Sequence, residues 1–234
     1  MAGHGMPGDH VTQRLLFMRH PETVSNTRFF FSGRTDVPLT PHGEEQRGRA
    51  IEALVAFAPD RLFHSPLSRA ACVAQGAAER LGVPCEPLED LIEIDFGPLE
   101  GMDFARARER GLAFPWPIDE RGVSHPPEGA ESFESLRERA RRVLELLRPL
   151  EGRTACVTHG GYLRMLVAAA YDVPLAHFWN LHVLNVSSLY FTCDGDAFAL
   201  GGLNLTPEEV IEHATRPCEY DTRDIWGTRG RELS

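Results

Sequence analysis

Short apolar runs alternate along the chain with longer stretches in which hydrophobic residues recur at helical spacing. The short runs, rich in β-branched and apolar residues, predict strands over 15–18, 61–64, 154–158, 188–192 and 197–200. The clearest helical pattern predicts a helix over 131–147 with a Glu- and Arg-rich opposite face, and a second helix is predicted over 41–57. This alternation indicates an α/β sheet covered by helices on both faces.

Local signals predict a third helix and mark the loops. Ser65 followed by Pro66 is typical of a helix start, with Ser65 as N-cap and Pro66 at the first helical position. Arg69 would then fall in the first turn. The stretch 113–129 is rich in Pro and Gly and is predicted to be a loop, whereas 218–234 shows no periodicity.

One folded domain is expected in this chain of 234 residues, because no internal repeat or linker divides it. The predicted organisation is a flexible N-terminal tail over 1–13, a single domain over 14–216 and a C-terminal tail over 217–234. The first segment lacks the apolar stretch of a signal peptide.

Composition argues against some classes of partner and indicates the cellular compartment. A formal net charge of −10 argues against nucleic acid or an anionic membrane surface as a partner. The longest apolar run, near 166–170, is far shorter than the roughly 20 residues of a spanning helix. The five cysteines are odd in number, widely spaced and without a Cys-x-x-Cys pair, which favours a reduced, cytoplasmic setting. A small anionic substrate remains compatible if cations are concentrated in one pocket.

Candidate chemistry lies where predicted strands end. The strand over 15–18 runs into Arg19 and His20, and the strand over 154–158 runs into His159, Gly160 and Gly161. Glycines between a strand and a helix let backbone N–H groups approach an anion. A third strand leads through Ser65 to Arg69, a side chain that can bind phosphate oxygens in a bidentate manner. Since ligands of open α/β sheets bind at the carboxyl ends of strands, these residues predict one anion site.

Five motifs in order resemble those of the histidine phosphatase superfamily, also called the phosphoglycerate mutase-like superfamily. Together they span about residues 15–204. They are Arg19-His20 with Glu22, Thr23 and Asn26; Ser32-Gly33 through Asp36 to Gly43; Ser65-Pro66-Leu67-Ser68-Arg69-Ala70; Glu93 through Phe96-Gly97 to Glu100-Gly101; and Thr158-His159-Gly160-Gly161. Pro21 departs from the pattern, which usually has Gly there, and removes a backbone N–H.

The resemblance implies a three-layer sandwich with a mostly parallel central sheet, and a phosphomonoester hydrolase that needs no metal or cofactor. It implies that His20 becomes a phosphohistidine and that Glu93 is the general acid and base, although the residues alone leave Asp95 as an alternative. Residues implied to surround the phosphoryl group or substrate are Arg19, Arg69, His159, Asn26, Thr23, Ser32, Gly33 and Gly160.

Two other functions stay open beside hydrolysis of a small phosphorylated metabolite. One is a cofactor-dependent phosphoglycerate mutase, although the segment 101–130 is short beside the insertion of such mutases and its charges are balanced. The other is a catalytically silent family member that acts as a binding module. The physiological substrate is not predicted, since it depends on the pocket rim over 29–34 and 102–128. The sequence leaves the oligomeric state open, and a homo-oligomer is compatible with it.

Several other polar and aromatic residues have a plainer interpretation. Phe29, Phe30 and Phe31 are expected to pack in the core or a loop, although one that faced the site would favour an apolar leaving group. The arginines of the 131–147 helix are expected on a solvated face. Five histidines without paired metal-ligand spacing are expected to be structural or exposed, with His64 a candidate for the pocket rim: His42, His64, His125, His177 and His182.

Overall fold

A six-stranded mixed sheet forms the centre of the computed structural model, which describes residues 13–112, 114–194 and 197–215. The strand order is β3-β2-β4-β1-β5-β6. The first four in that order pair in parallel, and β5 and β6 are antiparallel additions. The strands are β1 Gln13–Arg19, β2 Arg61–His64, β3 Cys85–Pro87, β4 Arg153–Thr158, β5 Ser188–Asp194 and β6 Ala197–Leu205.

Seven α-helices are found within the described ranges, and the two that the hydrophobic pattern predicted are confirmed as α2 and α5. Each begins at a residue whose hydroxyl accepts a hydrogen bond from a backbone N–H of the first turn: Thr40 from Gly43, and Ser132 from Ser135. The helices are α1 Val24–Arg28, α2 Pro41–Phe57, α3 Ser68–Leu81, α4 Phe104–Glu109, α5 Phe133–Leu147, α6 Gly160–Ala170 and α7 Pro207–Thr215.

Helices cover both faces of the sheet, as predicted, and β1 shows why. Leu15 and Phe17 pack into a core with α5 and α6, whereas Leu16 and Met18 pack into a second core with α2 and α3. Successive side chains of a strand point to opposite faces, so a continuous apolar run is buried on both sides. No helix among the described residues combines the length and apolar character needed to cross a membrane.

The predicted start of α3 was wrong, because the helix begins at Ser68 and not after a Ser65 cap. The Ser65 N–H instead donates to the Val157 carbonyl and continues the pairing of β2 with β4. The carboxylate of Asp36 accepts hydrogen bonds from the N–H and the hydroxyl of Ser68, so the cap comes from another segment. Arg69 still lies in the first turn.

Other differences from the sequence predictions lie in short or terminal segments. The strand β3 was not predicted, because three residues that include Pro87 carry no readable alternation. The described residues of 113–129 contain no helix or strand, as expected for a loop. Gln13, assigned to the N-terminal tail, is buried and begins β1. The rest of that tail and the C-terminal tail over 217–234 lie outside the described residues.

Arg139 contradicts the expectation that the arginines of α5 occupy a solvated face. It is 5% exposed, and its guanidinium forms a two-point ion pair with the buried carboxylate of Glu131, at 2.7 and 2.9 Å. It also donates to the carbonyls of Asp90, Ile92 and Glu93. Arg139 therefore fixes the backbone of 90–93 against α5.

Replacing Arg139 by Met should lower the free energy of unfolding by about 3–5 kcal/mol, because the Glu131 carboxylate would stay buried without its partner. The matched control is Arg142→Met on the same helix, which breaks an exposed pair with Asp90 and should cost less than about 1 kcal/mol. Urea unfolding of both variants measures the difference. Equal small losses would contradict the buried-pair assignment.

Candidate active site

The sheet places two predicted site segments side by side. In the parallel register of β1 and β4, Arg19 is opposite Thr158, so that His20 and His159 follow on neighbouring strands. Their ring centroids are 5.1 Å apart. Ser65, which follows β2 on the other side of β4, lies next to His159, with 2.6 Å between its Oγ and the imidazole Nε2. The topology alone therefore gathers residues that are far apart in sequence.

The environment of His20 fixes both its tautomer and its charge. Its Nδ1 lies 2.6 Å from the Pro21 carbonyl oxygen, which can only accept a hydrogen bond, so Nδ1 carries the proton and Nε2 carries the lone pair. Burial, and then the charges of Arg69 and Arg19, lower the pKa of His20 well below its usual value. His20 is thus a neutral imidazole with a free Nε2, the form that acts as a nucleophile.

Pro21 is compatible with this geometry. The residue contributes its carbonyl oxygen to the His20 contact, and a proline supplies that group as well as a glycine does. The proline ring holds φ near its usual value, which stiffens the turn after the strand.

His159 is fully buried and is also held neutral. Its Nδ1 accepts a hydrogen bond from Arg69 Nε at 3.3 Å, so Nε2 carries the proton and donates to Ser65 Oγ. Burial, followed by the charges of Arg69 and His20, lowers the pKa of His159 well below its usual value. The two histidines therefore have opposite tautomers: His20 is protonated at Nδ1 and His159 at Nε2.

Arg69 is 1% exposed and uses its donors on the protein itself. Beside His159, it donates to the carbonyls of Ser32, Gly33 and Thr35. Gly33 is required there, since a Cβ would lie 1.9 Å from the Ile94 carbonyl oxygen. Arg69 thus orients the loop over 32–35 and His159, and places a positive charge behind the two imidazoles.

Glu93 occupies the anion site that the two glycines predicted. Its carboxylate accepts hydrogen bonds from the N–H groups of Gly161 and Tyr162 at the start of α6, and from Ile94, each at 2.9 Å. A Cβ at Gly161 would come within 2.6 Å of Glu93 Oε1, so the close approach requires glycine. The anion at this helix start is a side chain of the protein.

Asp95, the alternative to Glu93, makes its contacts outside the cavity. One of its carboxylate oxygens accepts the Gly97 N–H at 2.8 Å, and the other lies 3.8 Å from Arg34 Nε. Glu93 lines the cavity described below, whereas Asp95 does not. The geometry therefore favours Glu93 as the carboxylate that can reach a ligand.

A cavity of about 850 Å³ opens beside His20. Six of the predicted site residues line it: Arg19, His20, Asn26, Ser32, Glu93 and Gly160. Four do not: His159 and Arg69 lie behind His20, Gly33 packs against Ile94, and Thr23 caps α1. Of the rim residues, Phe30 and Phe31 line the cavity, whereas Phe29 is 63% exposed and does not.

Asn26 is oriented by its neighbours so that its amide nitrogen is available. Its Oδ1 accepts from the N–H and the hydroxyl of Thr23 and from Asn185 Nδ2. The backbone N–H is an unambiguous donor, which fixes the amide orientation. Asn185, which sequence reasoning missed, also donates to the His20 carbonyl and lines the cavity. It lies in the irregular segment 181–187 before β5 and carries no local signal.

Sequence reasoning also missed two arginines of the lining, Arg108 and Arg164. Arg164 follows Gly160 by four residues, so one turn of α6 places it on the same face, and that spacing was readable. A Cβ placed on Gly160 would lie 3.1 Å from Arg19 Nε and 3.2 Å from Arg164 Nη1, so both guanidinium groups approach Gly160 closely. Burial, and then the charge of Arg164, lower the pKa of Arg19 to about 10.

The remaining histidines fit the plainer interpretation within the described ranges. His64 is buried, its Nδ1 donates to the Ser65 carbonyl, and it does not line the cavity. His42, His125, His177 and His182 are exposed. Within 13–112, 114–194 and 197–215 no group of three or more His, Cys, Asp or Glu side chains could hold a metal ion.

Comparisons with known proteins agree on one family. The model of the histidine phosphatase superfamily, branch 1, matches residues 15–206. An adenosylcobalamin/alpha-ribazole phosphatase of Salmonella typhimurium is 31% identical over 179 residues, which cover 73% of this chain and 85% of that protein. A 2,3-bisphosphoglycerate-dependent phosphoglycerate mutase of Rhizobium etli is 33% identical over 161 residues, covering 65% of this chain and 77% of that protein.

A solved mycobacterial structure shares the fold. The glucosyl-3-phosphoglycerate phosphatase in complex with VO3 is 26% identical, with a TM-score of 0.72 over 82% of this chain and 99% of that chain. The chain spans about half the length (51%) of three mycobacterial relatives to which it is 34% identical over 189 residues.

Stability should fall as the pH drops below about 6.5, because the lowered pKa values keep His20 and His159 neutral in the folded protein while the unfolded chain takes up protons. Each histidine contributes a slope of up to about 1.4 kcal/mol per pH unit below that value. Chemical unfolding at several pH values measures this slope. His20→Gln should reduce it, whereas the control His177→Gln, at an exposed position, should not; an unchanged slope in His20→Gln would contradict the assignment.

Proposed function

Because the chain belongs to the histidine phosphatase superfamily, we propose that it is a metal-independent phosphomonoester hydrolase that works through a phosphohistidine at His20. The proposed substrate is a small phosphorylated metabolite, and the proposed setting is cytoplasmic. The observation that carries the proposal is the fixed neutral tautomer of His20, a residue that lines one cavity together with Arg19 and Glu93.

In the first step, His20 Nε2 would attack phosphorus, forming the P–N bond while the ester P–O bond breaks. Arg19 and the free amide nitrogen of Asn26 would hold the phosphoryl oxygens, where fixed donors stabilise charge that develops in the transition state. Glu93, as the general acid, would give a proton to the leaving oxygen. The alcohol then departs.

In the second step, Glu93 would accept a proton from water, and the resulting oxygen nucleophile would attack phosphorus. The P–N bond breaks, phosphate leaves, and His20 returns to the neutral form with its proton on Nδ1. Throughout both steps Pro21 would hold that proton at Nδ1, and Arg69 would balance the negative charge from behind His159. No step needs a metal or an external cofactor.

The mutase remains the alternative, since one of the relatives carries that name. In this chain the segment 101–130 contributes Phe104, Ala107, Leu112 and Phe114 to the cavity, and Arg108 is its one cationic lining residue. Phosphoglycerates and bisphosphoglycerate have no apolar part that could pack on these side chains. This lining favours an ester with an apolar leaving group, and thus supports hydrolysis over the mutase reaction.

Purified protein should release phosphate from p-nitrophenyl phosphate in the presence of EDTA, and His20→Ala should reduce that release below detection while the protein stays folded. Orthovanadate should inhibit, because it can take the geometry of five-coordinate phosphorus. Phosphate release is followed colorimetrically, and thermal melting controls for folding.

Three outcomes would overturn the proposal. Loss of activity on chelation, restored by a divalent ion, would indicate metal-assisted hydrolysis. A coupled enolase assay in which bisphosphoglycerate-dependent interconversion of phosphoglycerates exceeds phosphate release would favour the mutase. Absence of turnover on any ester of a broad panel would favour the silent binding module.

Glu93→Gln should lower the rate on an alkyl ester such as glycerol phosphate about a hundredfold more than on p-nitrophenyl phosphate, because a nitrophenolate leaves without needing a proton. Asp95→Asn is the matched control, since Asp95 lies two residues away and outside the cavity. It should change both rates little. The reverse result for the two variants would transfer the acid role to Asp95.

A further inference from the structure

Six aromatic side chains line the cavity, and we call them the aromatic wall: Phe30, Phe31, Phe96, Phe104, Phe114 and Trp179. The rings pack on one another edge to face, with centroids 4.7 Å apart for Phe114 and Trp179 and 4.6 Å apart for Phe31 and Phe104. Because every ring of the wall except Phe30 packs on another, the wall presents a fixed apolar surface to a ligand.

Arg164 lies where the aromatic wall meets the phosphoryl end of the cavity. Its guanidinium stacks over the Trp179 ring, 4.6 Å from the centroid, and its Nε donates to the Leu181 carbonyl. Its Nη1 approaches Gly160, beside Arg19. Neither Nη group has a hydrogen-bond partner in the part of the chain that the structure describes. Two contacts thus fix the guanidinium, and its outer nitrogens remain available to a ligand.

The charged side chains that line the cavity are mostly cationic. The charged side chains among the described lining residues are three arginines, Arg19, Arg108 and Arg164, and one carboxylate, Glu93. In the proposed reaction Arg19 and Asn26 hold the phosphoryl oxygens, so Arg164 is available to a further anionic group on the substrate.

We propose, as an extension of the proposed phosphatase activity, that the leaving group is a planar apolar body that carries a second anionic group. The body packs on the aromatic wall, and Arg164 binds the anion as the residue that determines specificity. The anionic group is a carboxylate or a second phosphate, and the alcohol that carries it is aromatic or polycyclic. Small aliphatic esters fill little of an 850 Å³ cavity and are poor substrates.

The test compares 2-naphthyl phosphate with naphthyl phosphates that carry a carboxylate or a second phosphate on the ring. Arg164→Met should lower kcat/KM at least tenfold more for the doubly anionic esters than for 2-naphthyl phosphate, chiefly through KM, and Arg164→Lys should recover part of the loss. Each variant is compared with the wild type on the same ester, so intrinsic reactivity cancels. Arg106→Met, an exposed arginine of α4 that does not line the cavity, is the control.

The aromatic wall is tested with a second matched pair. Phe104→Ala should raise KM for 2-naphthyl phosphate several-fold and leave glycerol phosphate unchanged. Phe29→Ala should change neither, since Phe29 packs beside Phe104, with centroids 6.5 Å apart, but does not line the cavity. A wild-type preference for glycerol phosphate over 2-naphthyl phosphate would overturn the assignment of the wall.

Failure of this inference is distinguishable from failure of the phosphatase. The same esters are titrated calorimetrically into His20→Ala, in which binding is measured without turnover, and into the double variant with Arg164→Met. Tighter binding of the doubly anionic esters that depends on Arg164 would support the inference even if no ester is hydrolysed. Equal losses for all esters would show that Arg164 binds the shared phosphoryl group, and would overturn it.

Discussion

The site depends on the hydrogen bonds and the positive charge of the buried Arg69 guanidinium. A charge taken out of water is tolerated only when its donors are satisfied, and here three carbonyls of the loop over 32–35 and the Nδ1 of His159 satisfy them. The same charge is the first electrostatic cause, after burial, that lowers the pKa of both His20 and His159. One side chain therefore fixes the loop, one histidine tautomer and the neutrality of both imidazoles.

The start of α6 shows how a general structural feature is adapted to the site. A helix N-terminus with two glycines is suited to an external anion, yet its amides bind the Glu93 carboxylate. The carbonyl of Glu93 is held in turn by Arg139, through the ion pair with Glu131. The carboxylate is thus positioned from both sides, by α6 at its oxygens and by α5 at its backbone. Among the described residues, Arg19, Arg108 and Arg164 are the cations that line the cavity.

Much of the fold and part of the site could be predicted because their signals are local. Apolar runs gave the strands, helical spacing gave α2 and α5, and strand ends gave His20 and His159. Contacts between distant segments were not readable. The cap that Asp36 supplies to α3 spans 32 residues, and the burial of Arg139 depends on carbonyls 46 to 49 residues away. The sequence of a helix with several arginines does not show whether one of them is buried.

The residues that sequence reasoning missed belong to a different part of the fold from those it found. His20 and His159 follow the ends of paired strands, where register leaves little freedom and position implies chemistry. Asn185 and Trp179, which it missed, come from loops and short helices, where a side chain can be exchanged without disturbing the sheet. The ring residues over 104–114 also lie there, within the predicted rim over 102–128, but were not singled out. The proposed reaction and the proposed recognition of the substrate therefore use different parts of the fold. Arg164 links these parts, because α6 begins where β4 ends and one turn later reaches Trp179, so under the proposed function the choice of ligand depends most on this residue.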